Sequence, residues 1–198
     1  MPPEDITAVT FTVRAATEMR ERLSAKLKKA ADKITVGTFH SICYSRLKDK
    51  YALADRAVSL KLAENILAER GAKLSPRKLL NEVSAFKNGK KTDYEDMVRE
   101  YGKRLFQSGA VDFDDLISLS LEENTGERFN YLHVDEFQDI NPAQYALIKK
   151  WVGTDGNLFV IGDPDQAIYS FRGAAADCFS MLESDYPETQ TVRLKDNY

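Results

Sequence analysis

Two adjacent acids, Asp135 and Glu136, end the apolar run of "YLHVDEFQDIN", and a third acid, Asp163, ends "NLFVIGD" further along the chain. Carboxylates released at the tips of two buried strands suit a magnesium–nucleotide site. Magnesium takes hard oxygen ligands and keeps several waters, so one or two carboxylates are enough to hold it. In this reading Asp135 holds the metal through water, and Glu136 faces the terminal phosphate and orients or deprotonates the attacking water. An isolated Asp–Glu pair in a strand-to-helix loop is ordinarily just solvated. The repeat of the pattern at Asp163, with Gln138, Asp139 and Gln166 adding polar reach, favours chemistry.

Such acids need strands to carry them. "YLHVDE" and "GNLFVIGD" read as strands, "NPAQYALIKKWV" and "AAADCFSMLES" as helices, and "TQTVRL" as a last strand. Asn141 is the expected cap of the first of those helices, with Pro142 in its first turn. Nearer the N-terminus, "ITAVTFT" reads as a strand. The helix "AATEMRERLSAKLKKAA" follows, with Ala16, Met19, Leu23 and Leu27 on one face. Next come "ITVGTFHS", a strand breaking at Gly37, and a helix through Ile42, Tyr44 and Leu47. Strands alternating with helices imply an α/β fold, a parallel sheet with helices on both faces, whose ligands sit at the carboxyl ends of the strands.

Residues from about 52 to 121 differ in texture. They hold helix-period segments around "LKLAENILAER", "SPRKLLNEVSAFK" and "YEDMVREYGKRLFQSG", a turn at "NGKK", and no strand-like run. The expectation is an inserted all-helical subdomain, with Asp112 capping the helix that leads back to the sheet.

The bulk properties exclude several classes. With 28 basic and 31 acidic residues among 198, the net charge is −3, so the chain is no polycation and any nucleic-acid surface must be local. Cys43 and Cys178 belong to no CxxC pair, which points to reduced thiols in an intracellular protein and against zinc. No apolar stretch reaches the ~20 residues needed to cross a bilayer, and "MPPEDITAVTF" is not a secretory signal. The expectation is a soluble cytoplasmic protein.

Taken in order, the motifs resemble those of the UvrD/Rep/PcrA family of superfamily-one DNA helicases. "VDEFQD" and "VIGDPDQAIYSFRGA" resemble its motifs II and III, and "TFTVRAATEMRERL" its motif Ia. "VGTFHS" resembles the short motif that follows Ia, "DFDDLI" the segment before motif II, and "LKDNY" the start of motif IV. The matches run from residue 7 to residue 198. The resemblance implies a RecA-like motor domain formed by residues 1–50 and 111–198, interrupted by a helical subdomain at 51–110. That insertion is shorter than the family leads one to expect.

It further implies ATP and magnesium as cofactors, with Asp135 and Glu136 as the magnesium and water-activating acids. Gln138, Asp139 and Asp163 lie around the nucleotide, and Gln166 is the γ-phosphate sensor. Phe11, Thr12, Arg14, Thr38, His40, Ser41, Tyr169, Phe171 and Arg172 are implied on the side of single-stranded DNA or a single-strand/duplex junction, where aromatic faces stack on bases without reading sequence. Phe171 reads almost equally well as a core aromatic, and His40 as a structural histidine but for its motif. Unwinding from 3′ to 5′ is what the family suggests. Two departures stand out. Val13 and Arg14 replace the usual Asn and Lys, keeping the charge but losing a hydrogen-bonding group. Phe171 replaces the common Trp.

No GxxxxGK(S/T) phosphate loop occurs in the sequence. In the family that loop precedes motif Ia, and the motif IV arginine and the second motor domain follow the point where this chain stops. The expectation is a fragment that relies on the missing remainder of the helicase and alone has no significant ATPase or helicase activity. The alternatives are a non-catalytic module binding single-stranded DNA or a repair partner, and, less favoured, a magnesium nuclease built on the acids.

Overall fold

A computed structural model describes residues 1–123, 129–153, 156–166 and 178–194. Among them the elements run β1 (Ile6–Thr10), α1 (Val13–Leu27), β2 (Thr35–Thr38), α2 (Phe39–Leu47), β3 (Ala52–Leu53), α3 (Arg56–Arg70) and α4 (Pro76–Lys87). They continue with α5 (Glu95–Gln107), β4 (Ala110–Val111), α6 (Asp115–Glu122), β5 (Tyr131–Val134), α7 (Pro142–Val152), β6 (Asn157–Val160) and α8 (Cys178–Asp185). The chain forms two compact units: Met1–Thr38 with Glu127–Tyr198, and Phe39–Gly126.

The first unit is an α/β fold around a parallel sheet of order β2-β1-β5-β6, flanked by helices. Thr10 pairs with Thr38, Val9 with Val134, and Val134 with Val160, so the strand tips line up along one edge. β1 is buried on both faces, as its β-branched "ITAVT" requires of an inner parallel strand. Strand β2 does not break at Gly37, which pairs with Val9 inside the ladder and leaves Thr38 to end the strand.

Thr12 starts α1 by accepting the Ala15 N–H at 3.1 Å. Ala16, Met19 and Leu23 pack with Ala8, Ile34 and Val36. Leu27 falls off that face and is exposed, because α1 ends there: Lys28 takes a left-handed φ of 53° and a 3-10 turn, Lys28–Lys33, follows. Asn141 caps α7 in a reciprocal box with Gln144, with Pro142 beside it. The expected strand "TQTVRL" is absent. Val192 and Leu194 lie exposed, and among the described residues no strand pairs with this segment, so its β-propensity has no face to bury.

The second unit is helical but for one correction to the expected all-helical insertion: β3 and β4 form a two-residue parallel pair, Ala52 with Ala110 and Leu53 with Val111. Its core joins Ala63, Ile66 and Leu67 of α3, Leu79 and Val83 of α4, and Val98, Tyr101 and Leu105 of α5. Asp55 and Ser75 cap α3 and α4 through the N–H groups of Val58 and Lys78. The turn after α4 places Gly89 at φ 80°. The cap of α6 falls at Asp114, which makes no side-chain cap bond, and not at Asp112 as expected. Asp112 instead accepts from the N–H groups of Asp114 and Asp115, while Asp115 accepts from that of Asp112. Cys43 and Cys178 are buried thiols outside any disulfide, and Cys178 Sγ donates to Phe137 O at 3.3 Å.

Candidate nucleotide site and nucleic-acid face

The backbone of β5 carries its register one residue past the strand: the Asp135 N–H donates to Val9 O at 2.9 Å. Glu136 then turns the chain. It takes a left-handed φ of 52°, a conformation that costs a non-glycine residue about 1–3 kcal/mol and concentrates at functional sites. The Phe137 N–H donates to Ile161 O at 2.9 Å, and Phe137 is fully buried against Tyr145 and Phe179. The turn is therefore pinned on both sides of Glu136, whose side chain is exposed while Gln138 and Asp139 are buried.

A hydrogen-bond network ties this turn to the tip of β6. Gln138 Nε2 donates to Glu136 Oε2 at 2.6 Å, and Gln138 Oε1 accepts the Asp163 N–H at 3.1 Å. Asp163 in turn accepts from the Asp165 N–H at 3.0 Å and from Gln166 Nε2 at 2.8 Å. The fold thus gathers Asp135, Glu136, Gln138, Asp139, Asp163 and Gln166 on one edge of the sheet.

The electrostatics suit a cation. Burial pushes the Asp135 carboxyl above its ordinary value and the Glu136 charge adds to this, against a lowering backbone hydrogen bond from Glu136. Burial, then the Glu136 charge, also pushes Asp139 up, and Asp139 Oδ1 has no hydrogen-bond partner among the described residues. Among the described residues no three His, Cys, Asp or Glu converge into a metal cage. Asp135 and Glu136 offer two hard oxygen donors, which fits an ion that retains most of its water.

On the same edge of the first unit, Phe11 and Thr12 follow the tip of β1, and Thr38 ends β2 opposite Thr10. Thr12 is committed to its cap, and its carbonyl accepts the Thr10 hydroxyl at 3.0 Å. Arg14 is exposed in the first turn of α1, beside an exposed Val13. In the second unit, His40 and Ser41 occupy the first turn of α2. His40 stacks on Phe113, and burial lowers its pKa although Asp114 pulls the other way. Tyr169, Phe171 and Arg172 lie outside the described residues.

Two neighbours of the candidate residues were not singled out from the sequence, Phe113 against His40 and Gly162 against Gln138. Phe113 is an exposed aromatic between acids in "DFDDLI", a placement that could have flagged it. Gly162 carried no local signal; a Cβ there would land on Gln138 Oε1 and lie 3.0 Å from the Phe137 nitrogen.

The paired acids thus stand at the strand tips of a parallel α/β sheet flanked by helices. The chain belongs to the UvrD/REP helicase N-terminal domain family, whose model matches residues 1–68 and 54–187. It is 35% identical over 231 residues to the ATP-dependent DNA helicase PcrA of Bacillus subtilis (strain 168), a match covering 99% of this chain and 31% of that protein. It is 36% identical over 239 residues to the ATP-dependent DNA helicase UvrD1 of Mycobacterium tuberculosis (strain ATCC 25618 / H37Rv), covering 98% and 31%. The chain thus spans about a third of the length of the curated relatives it matches. Both alignments are longer than the chain's 198 residues, so these relatives carry extra residues inside the matched span. No helix among the described residues is long and apolar enough to cross a membrane.

Proposed function

We propose that this chain supplies the acidic side of the ATP site, and part of the single-stranded DNA path, of an ATP-dependent DNA helicase that translocates 3′ to 5′. The observation that supports it most is the pinned, left-handed Glu136 beside half-buried Asp135, at the tip of a parallel strand and hydrogen-bonded through Gln138 to Asp163. Asp135 and Glu136 would hold magnesium, which would supply charge stabilisation for the transferring phosphoryl group, and Glu136 orients and deprotonates the attacking water. Asp139 and Asp163 shape the nucleotide side, and Gln166 reads the γ-phosphate. Phe11, Thr12, Arg14, Thr38, His40 and Ser41, with Tyr169, Phe171 and Arg172, belong to the DNA side. Residues 1–50 and 111–198 act as one motor domain and 51–110 as its insertion, working in the cytoplasm with the remainder of the helicase and with repair proteins.

Phosphoryl transfer depends on positioning and charge stabilisation. This sequence has no GxxxxGK(S/T) to cradle phosphates, so the 198-residue polypeptide by itself is expected to release no phosphate from magnesium-ATP with single-stranded DNA. Turnover well above that of a Glu136→Gln control would overturn this. In a longer protein containing the chain, Glu136→Gln is expected to lower DNA-stimulated ATP hydrolysis by ~10²-fold or more while nucleotide binding persists. An unchanged rate would remove Glu136 from the chemistry.

A further inference from the structure

Gln138 sits where the reading of Glu136 and Gln166 leaves a gap. Its side chain is 3% exposed, and both ends of its amide are used inside the protein. The orientation of that amide is fixed by its neighbours. The Asp163 N–H demands an acceptor and the Glu136 carboxylate a donor, so Oε1 faces β6 and Nε2 faces Glu136. Asp163 then spends one carboxylate oxygen on the Gln166 side chain and its carbonyl on the Gln166 N–H, at 2.8 and 3.0 Å. The result is an unbroken run of hydrogen bonds from Glu136 to Gln166, crossing between two strand tips.

We infer that Gln138 is a positioning residue that couples Glu136 to the Asp163–Gln166 turn, so that a change at either end is transmitted to the other. Asn is too short by one methylene to span the gap, and Met spans it without a polar atom able to donate to Glu136. Gly162 belongs to the same device. A Cβ there would strike Gln138 Oε1, crowd the Phe137 nitrogen at 3.0 Å and the Phe179 ring at 3.1 Å, and deny Gln138 its reach to Asp163. Behind it, Phe137 and Phe179 pack edge to face at 5.2 Å, which leaves little room for the amide to relocate. Contiguous, fully satisfied hydrogen bonds against rigid packing are the kind of connection that can carry coupling, and a double-mutant cycle isolates it.

The mechanistic meaning of this link rests on the helicase reading, but its test needs neither nucleotide nor DNA. Failure of one therefore leaves the other standing. Amide hydrogen exchange by NMR on the full chain reads the Asp163 N–H directly. Glu136→Ala is expected to speed exchange at Asp163 in the parent chain, by releasing the far end of the Gln138 amide, and to add nothing in a Gln138→Met background. No effect of Glu136→Ala on Asp163, or an equal effect in both backgrounds, overturns the proposal. A merely structural role for Gln138 would instead loosen Leu158 and Val160 along β6 together with Asp163, and that pattern also overturns it. If Gln138→Met does not fold, Gly162→Ala carries the test. It displaces the Gln138 amide without removing it, so the Glu136→Ala effect should again vanish, and its persistence overturns the coupling.

Discussion

The imidazole of His40 lies nearly flat on the ring of Phe113, with centroids 3.9 Å apart and 15° between the planes, so two sequence motifs far apart in the chain share one stack. Phe113 is 56% exposed and His40 is half-buried, so the phenyl ring shields the imidazole from water and leaves much of its own surface open. Removing the ring should therefore change His40 in a readable way. In Phe113→Ala the imidazole pKa is expected to rise toward its ordinary 6.5, since burial is what lowers it and Asp114 already pulls upward. An NMR titration of His40 checks this. Phe113→Tyr, which keeps an aromatic face on the imidazole, should leave the titration near that of the parent. An unmoved titration would separate Phe113 from His40.

The two histidines set a sign for stability against pH. Burial lowers the pKa of both His40 and His133, so below pH ~6.5 the unfolded chain takes up protons that the folded chain refuses. Stability should accordingly rise with pH through that window and level off above it. Thermal unfolding between about pH 5 and 7.5 checks the slope. His40→Gln and His133→Gln should each flatten it, and a parent slope of opposite sign would refute the assignment.

What the sequence revealed and what it hid divide along physical lines. The parallel sheet, the Asn141 cap and the acids at the strand tips were legible because each is written locally, in a β-branched run, a capping residue, or a charge following an apolar stretch. The end of α1 was not, because nothing in "SAKLKK" announces that Lys28 leaves the helix with positive φ. The β3–β4 pair is two residues long on each side, too short for any periodicity. "TQTVRL" has strand propensity, but a strand needs a partner, and the sequence says nothing about whether one is within reach. At the strand tips, the polar side chains were legible and the hydrogen bonds between them were not. Gln138 reads as one more polar residue near the nucleotide until the fold brings Asp163, from another strand, to its amide oxygen.

Lys87 is the clearest structural cation of the inserted unit. Its Nζ lies 2.7 Å from Asp112 Oδ2 and 2.7 Å from Asp115 Oδ1, with the Lys87 and Asp112 side chains only 15% and 14% exposed. Burial pulls the lysine pKa down, but the two carboxylates together outweigh it and hold it above its ordinary value. Lys87→Met leaves these carboxylates without their counter-charge and is expected to destabilise the chain by about 3–5 kcal/mol. The double variant Lys87→Met/Asp112→Asn should regain a large part of that loss. Urea unfolding of the four proteins of the cycle measures both effects, and an additive cycle would deny the pairing.

Asp139 presents the opposite case, a buried acid that works against the fold. It is 8% exposed, its Oδ1 has no partner among the described residues, and burial with the nearby Glu136 charge pushes its carboxyl above the ordinary 3.8. A carboxyl raised in the folded state contributes stability while protonated, below the unfolded value, and loses it as pH rises through the folded value. In its ionised form Asp139 is thus a liability to the fold. Asp139→Asn is expected to stabilise the chain at neutral pH by about 1 kcal/mol, the scale of relieving one unsatisfied buried group. The gain should fade as pH falls and the parent carboxyl takes its proton. Parallel thermal melts of parent and variant, at neutral pH and in the carboxylate range, decide it. A variant less stable than the parent at neutral pH would mean that Asp139 is held by an interaction the described residues do not include.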